Sequence, residues 1–218
     1  SPTGNFYGST VVRVRGTDPT APTLALVAAV ALEEVVRAYL SSSPSPFPRG
    51  FAARAPSLSL WEREGGAKRR KGEGDLLLKW PNDLLLDGAK LSGILLERAG
   101  DAVVVGMGVN IAHHPLDIDR RATSLAAYSV TPDPADFAET LADAFARWLG
   151  IWRGQGLAPV RARWLERAHP IGTALTVRLP DGSATDGLFG GLDADGALNL
   201  RLADGTTRVI HAGDVFLL

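Results

Sequence analysis

Residues 76–110 read Leu76-Leu77-Leu78-Lys79-Trp80-Pro81-Asn82-Asp83-Leu84-Leu85-Leu86-Asp87-Gly88-Ala89-Lys90-Leu91-Ser92-Gly93-Ile94-Leu95-Leu96-Glu97-Arg98-Ala99-Gly100-Asp101-Ala102-Val103-Val104-Val105-Gly106-Met107-Gly108-Val109-Asn110. Leu76 to Trp80 is a short apolar strand ended by Pro81-Asn82-Asp83, because proline has no N–H to donate and biases the residue before it toward an extended backbone. Leu91 to Arg98 and Ala102 to Val105 follow as two more strands. Asp87-Gly88 and Ala99-Gly100-Asp101 supply the turn chemistry between them. This stretch predicts a hairpin-rich sheet, and the rest of the chain is read outward from it.

Upstream, Asn5 to Arg15 alternates and carries the β-branched Thr10, Val11, Val12 and Val14, so it reads as a further strand. Leu24, Val27, Ala28, Ala31, Leu32, Val35 and Val36 recur at three and four, the spacing of one buried helix face, with Pro19 and Pro22 before or in its first turn. Downstream, Phe137, Leu141, Phe145, Trp148, Leu149 and Trp152 mark a second amphipathic helix that starts near Asp133 and stops near Gly154 and Gly156. A short third helix holds Val160, Trp164 and Leu165. From about Ile171 the pattern becomes Thr173–Leu179, Gly187–Leu192, Ala197–Leu202 and Thr206–Ile210, separated by Gly- and Asp-rich turns. The expected fold class is α+β: a mixed or antiparallel sheet with packed helices over residues 1–170, then a small all-β barrel over 171–218.

Residues 41–74 differ in kind. Serines and prolines give way to Lys68-Arg69-Arg70-Lys71, and no period survives, so the segment is read as a mobile insertion. The basic run lacks interleaved aromatics and reads as solvated loop. Over the whole chain 23 basic and 24 acidic side chains nearly cancel, which removes any electrostatic argument for a nucleic-acid or anionic-membrane partner. The absence of cysteine excludes a disulfide framework, a zinc–thiolate centre and thiol catalysis, and fits a cytoplasmic protein. Leu24 to Leu32 is far short of the ~20 apolar residues a membrane span needs. His113 and His114, being adjacent, cannot share a strand face, so no metal site is expected from them.

Lys79-Trp80-Pro81-Asn82-Asp83 places a cation, an indole, a rigid turn, an amide and a carboxylate at the end of a buried strand, where a scaffold can present polar groups to a ligand. Read locally, Asn82 and Asp83 are equally turn residues and Lys79 a surface lysine. Gly93 inside a bulky strand implies close approach of a ligand or another backbone. Lys90, at the mouth of that strand, is placed to hold an anionic oxygen. Gly106-Met107-Gly108-Val109-Asn110 puts small residues where a flat ring can lie, with an amide beside them, and lacks the third glycine of a dinucleotide fingerprint.

In this order and spacing the three blocks resemble the catalytic domain of biotin protein ligases, whose fold is like that of class II aminoacyl-tRNA synthetases. Ser1-Pro2-Thr3-Gly4-Asn5-Phe6-Tyr7-Gly8-Ser9 is similar to that family's strand after its glycine- and arginine-rich loop, and Gly187 to Leu218 to its C-terminal SH3-like barrel. The resemblance implies a two-step reaction, in which biotin is activated with ATP as biotinyl-5'-adenylate and then transferred to a lysine of a biotin carboxyl carrier protein, magnesium accompanying the ATP. It implies catalytic roles for Lys90, Lys79 and Asp83, with Lys90 contacting the biotin carboxyl and the α-phosphate, and ligand contacts from Trp80, Asn82, Gly93, Gly106, Gly108, Val109 and Asn110. The family's glycine- and arginine-rich loop would lie before Ser1, and this leaves open a chain of impaired activity or a non-catalytic adenylate-binding remnant. A lipoate or octanoate transferase of the same fold is the nearest enzymatic alternative; a biotin-responsive repressor and a homodimer paired through an exposed sheet edge are also left open.

Overall fold

The computed structural model describes residues 3–42, 75–115 and 121–218, so most of the segment read as an insertion lies outside the described residues. Strand β1 (Phe6–Arg13) leads through a 3-10 turn at Ala21–Thr23 into helix α1 (Leu24–Ser42). Ser41 and Ser42 therefore close α1 and are no part of an irregular insertion. Strands β2 (Leu76–Lys79), β3 (Asp83–Leu86), β4 (Ala89–Ala99) and β5 (Ala102–Val109) follow. Helices α2 (Pro134–Gln155) and α3 (Leu157–Glu166) come next, then β6 (Ala174–Arg178), β7 (Ala184–Leu192), β8 (Leu198–Arg201), β9 (Thr207–Ile210) and β10 (Asp214–Leu217).

The first five strands pair antiparallel in the order β1-β5-β4-β3-β2, the last five antiparallel in the order β10-β6-β7-β8-β9. One face of the first sheet packs on α1, and α2 and α3 pack on the far side of that helix. This layering explains a departure from the sequence reading of α1. The predicted face is buried, but Leu26, Ala29 and Val30 are buried too. A helix held between a sheet and two other helices has little solvent face, and alanines on its back let α2 and α3 approach.

The same burial traps a charge. Glu33 is fully buried in α1, where Arg37 pairs with it at 2.5 Å and Arg167 and Arg163 stand at 3.6 and 3.7 Å. The carboxylate ties α1 to α3 because isolating it would cost several kcal/mol. Asp133 caps α2 as expected, accepting from the Ala135 amide at 2.7 Å, with Pro134 at the first helical position. Trp152 and Trp164 are buried core residues; the Trp152 indole donates to Thr23 Oγ1 at 2.8 Å.

Two parts of the central hairpins differ from expectation. Asp83 is the first residue of a strand, paired with Lys79 and Gly93, and no turn residue. Gly106 to Val109 continue β5, which the sequence reading ended at Val105. Both follow from antiparallel pairing: β4 extends to Ala99 and gives every residue of β5 a partner. Asp87-Gly88 makes the predicted tight turn, with positive φ at both residues.

Candidate active site

Register alone builds the site. Tyr7 pairs with Gly108, Gly108 with Gly93, Gly93 with Asp83 and Asp83 with Lys79, so these five residues form one row across five strands and project from the same face, away from α1. The next row on that face is Ser9, Gly106 and Leu95. The middle of the face is thus a strip without side chains at Gly93, Gly106 and Gly108. The exposed Tyr7 ring lies against Gly108, exposed Leu95 borders the strip, and one end carries charge.

A bulge delivers the key cation. Asp83 faces Gly93 and Leu84 faces Ser92, but Leu85 faces Lys90, so Leu91 is the extra residue in β4. Strict alternation from Gly93 would send Lys90 into the core and Leu91 outward. The bulge reverses this: Leu91 is fully buried and Lys90 comes to the outer face. There its ammonium crosses the bare Cα of Gly93 and lies 2.5 Å from Asp83 Oδ1. A Cβ added at Gly93 would stand 3.2 Å from both Lys90 Cε and Nζ. The close approach read from Gly93 is therefore that of Lys90 itself.

Lys79 completes the cluster from the other side. It donates to Asp83 Oδ2 at 2.8 Å and to the Val215 carbonyl of β10 at 3.0 Å, and is 7% exposed, so it is no surface lysine. Burial pushes the Asp83 carboxyl up, but the charges and hydrogen bonds of Lys79 and Lys90 outweigh it and hold the group below the usual carboxylate range. Lys79, Asp83 and Lys90 open on a cavity of about 200 Å³ that is also lined by Leu85, Arg121 and Val215 to Leu217. Two lysines on one carboxylate, with Arg121 on the same cavity wall, leave a surplus of positive charge beside the glycine strip, which suits an anionic group attached to a flat apolar body.

The model of the biotin/lipoate A/B protein ligase family matches residues 1–111, more than half of the chain, and that of the biotin protein ligase C-terminal domain matches residues 171–218. The chain is 37% identical over 233 residues to a biotin–[acetyl-CoA-carboxylase] ligase of Paracoccus denitrificans, covering 99% of this chain and 81% of that protein. It belongs to the biotin/lipoate A/B protein ligase family. A biotin–[acetyl-CoA-carboxylase] ligase of Mycobacterium tuberculosis is 38% identical over 63% of this chain and 52% of its own length. Among solved structures, the biotin protein ligase of Aquifex aeolicus in complex with biotin and ATP superposes with a TM-score of 0.73 at 19% identity, covering 99% of this chain and 78% of that one, a likeness of fold.

Within this family member, the sequence-predicted residues divide by face. Lys79, Asp83, Lys90, Gly93, Gly106 and Gly108 share the outer face. Asn82 and Asn110 act as clamps: the Asn82 amide donates to the Ile94 carbonyl at 2.7 Å and that of Asn110 to the Thr123 carbonyl at 3.0 Å, which fixes β2 to β4 and residues 121–125 to the end of β5. Two side chains lie off that face. Val109 alternates with Gly108 and is fully buried toward α1. Trp80 follows Lys79, donates to the Gly196 carbonyl at 3.2 Å and lines a separate groove with Leu26, Pro81 and His211. Tyr7, Arg121 and β10 were missed. Tyr7 was legible from β1 alternation, whereas Arg121 and β10 reach the cavity through contacts remote in sequence.

The bare strip at Gly93 sets up a test. Gly93→Ala should leave the fold nearly as stable, because the methyl crowds the flexible end of Lys90 and otherwise makes an ordinary contact with Asp83, yet displace the ammonium and lower turnover about 10-fold or more. Thermal unfolding and steady-state AMP release measured together check this. Wild-type turnover in Gly93→Ala would show that the position of Lys90 over Gly93 is immaterial.

Proposed function

We propose that the chain is an ATP-dependent biotin–protein ligase that activates biotin as biotinyl-5'-adenylate and transfers it to a lysine of a biotin carboxyl carrier protein. The observation that carries this reading is the outer-face row, a glycine strip with apolar borders running into Lys90. Biotin's fused rings fit over Gly106, between Leu95 and the Tyr7 ring that lies against Gly108, with the carboxylate toward the Lys90 ammonium that crosses Gly93. In the first step a carboxylate oxygen bonds to the α-phosphorus of ATP and the bond to the β-phosphate oxygen breaks, releasing pyrophosphate. In the second the carrier amine attacks the acyl carbon, loses a proton, and AMP departs. Negative charge grows on oxygens beside the carboxyl carbon and α-phosphorus in both steps, where a fixed ammonium stabilises it without reorganisation.

Asp83 holds Lys90 over the strip, and Lys79 neutralises the other Asp83 oxygen. With both oxygens engaged by lysines, Asp83 is a poor magnesium ligand. The described residues hold no cluster of three or more potential ligands, and a magnesium ion arriving with ATP would supply countercharge to the phosphates during displacement.

The deciding experiment is AMP release from ATP by the purified chain, with biotin and a carrier domain each supplied and each withheld. Release that requires both, with one biotin added per carrier lysine by mass spectrometry, is the expected result. Release with lipoate and none with biotin would reassign the substrate within the family. Tight binding of biotinyl-adenylate without turnover would leave a binding protein.

A further inference from the structure

Lys79 holds a corner of the site with an incomplete set of contacts. An ammonium has three N–H donors, and Asp83 and Val215 account for two. The same corner contains an acceptor without a donor. Leu78 donates to the Arg167 carbonyl and bridges Ala168 in parallel, so the linker after α3 runs beside β2 as an extra edge. Leu78 and Ala168 both face the core. Alternation then brings Lys79 and His169 to the outer face side by side, extending the row by one residue. His169 is 9% exposed, and its Nε2 is buried with no hydrogen-bond partner among the described residues. Buried nitrogens of this kind need a partner, commonly an ordered water.

We propose that His169 is a positioning residue of the ligase site, whose uncharged imidazole offers Nε2 through one bound water to the third N–H of Lys79 and so holds the Lys79–Asp83–Lys90 row in place. The inference deepens the assignment of Lys90 above and rests on it. Burial lowers the affinity of His169 for a proton, Lys79 lowers it further, and Asp75, the remaining charged group acting on it, works in the opposite direction; the net displacement is below the ordinary histidine value. The ring is therefore neutral at pH 7 and can accept. A proton on His169 would place a second buried cation beside Lys79 and remove the acceptor at once.

The test compares His169→Leu with His169→Gln, whose amide oxygen reaches about as far as Nε2. With His169→Leu, kcat for carrier-dependent AMP release should fall about 10-fold while KM for the carrier stays within about twofold, and Gln should restore kcat to within about threefold of wild type. A folded His169→Leu protein with wild-type kcat overturns the proposal. Should that variant fail to fold, the pH profile of His169→Gln decides. Gln takes up no proton, so its activity should persist further into acid than the wild type's, and an unchanged acid limb overturns the idea. Labelling with acetic anhydride, read by peptide mass spectrometry, needs no turnover and separates this proposal from the assignment of activity. Reactivity of Lys90 relative to a lysine peptide added as internal standard should change about threefold or more in His169→Leu and stay near wild type in His169→Gln, and wild-type labelling in His169→Leu counts against the positioning role even in a chain that releases no AMP.

Discussion

Lys90→Ala should lower kcat for biotin- and carrier-dependent AMP release by about 10²- to 10³-fold, the usual cost of removing one fixed donor from a site of developing oxyanion charge. No neighbour can take over. Lys79 is buried and bound to Asp83 and to the Val215 carbonyl, so its ammonium has no path to the glycine strip. Arg121 lines the cavity from a loop whose backbone is hydrogen-bonded to Lys90, an anchorage that the substitution leaves in place. The variant should fold, since the Lys90 side chain is 38% exposed and Asp83 keeps its contact with Lys79. Lys90→Arg should rescue little, because a planar guanidinium is broader than the ammonium that crosses Gly93. Chemically supplied biotinyl-adenylate separates the two steps, and transfer from it should also slow. A Lys90→Ala protein retaining more than about a tenth of wild-type turnover would remove Lys90 from the chemistry.

What placed Lys90 in that position was only partly legible in the sequence. The Asp87-Gly88 turn, the Asp133 cap and the seven apolar positions of α1 follow from local rules, and the structure contains them. The bulge at Leu91 does not follow, because it is a mismatch in count between β3 and β4, and no residue of Ala89-Lys90-Leu91-Ser92 announces it. Alternation without the bulge would have buried Lys90. Motif resemblance singled out the residue where periodicity alone would have passed it over. Trp80 and Val109 lie in the same motifs, yet each directly follows a residue of the outer row, Lys79 or Gly108, and alternation sends its side chain away from that face. His169 and the Val215 carbonyl escaped notice as site groups because both reach Lys79 through chain crossings that no local pattern encodes.

The second large effect falls on stability. Asp83→Asn should destabilise the fold by about 3–5 kcal/mol, since it leaves Lys79 as a buried cation without countercharge. For a chain of this size that is a fall in Tm of about 6–20 °C. The sign of the pH dependence follows from Asp83's lowered affinity for protons in the folded state. Its contribution is fully present above the unfolded carboxylate value of about 3.9 and is lost as pH falls from there through the folded value. Wild type should therefore lose stability on acidification below about pH 4 more steeply than Asp83→Asn, and the gap between their unfolding midpoints should narrow. Removing the cation as well tests the cause. In Lys79→Met with Asp83→Asn no buried charge remains, so the double variant should be more stable than Asp83→Asn alone despite carrying one more substitution. A double variant less stable than Asp83→Asn would place the cost in the Lys79 contact with Val215, and so in the docking of β10, instead of in the unpaired charge.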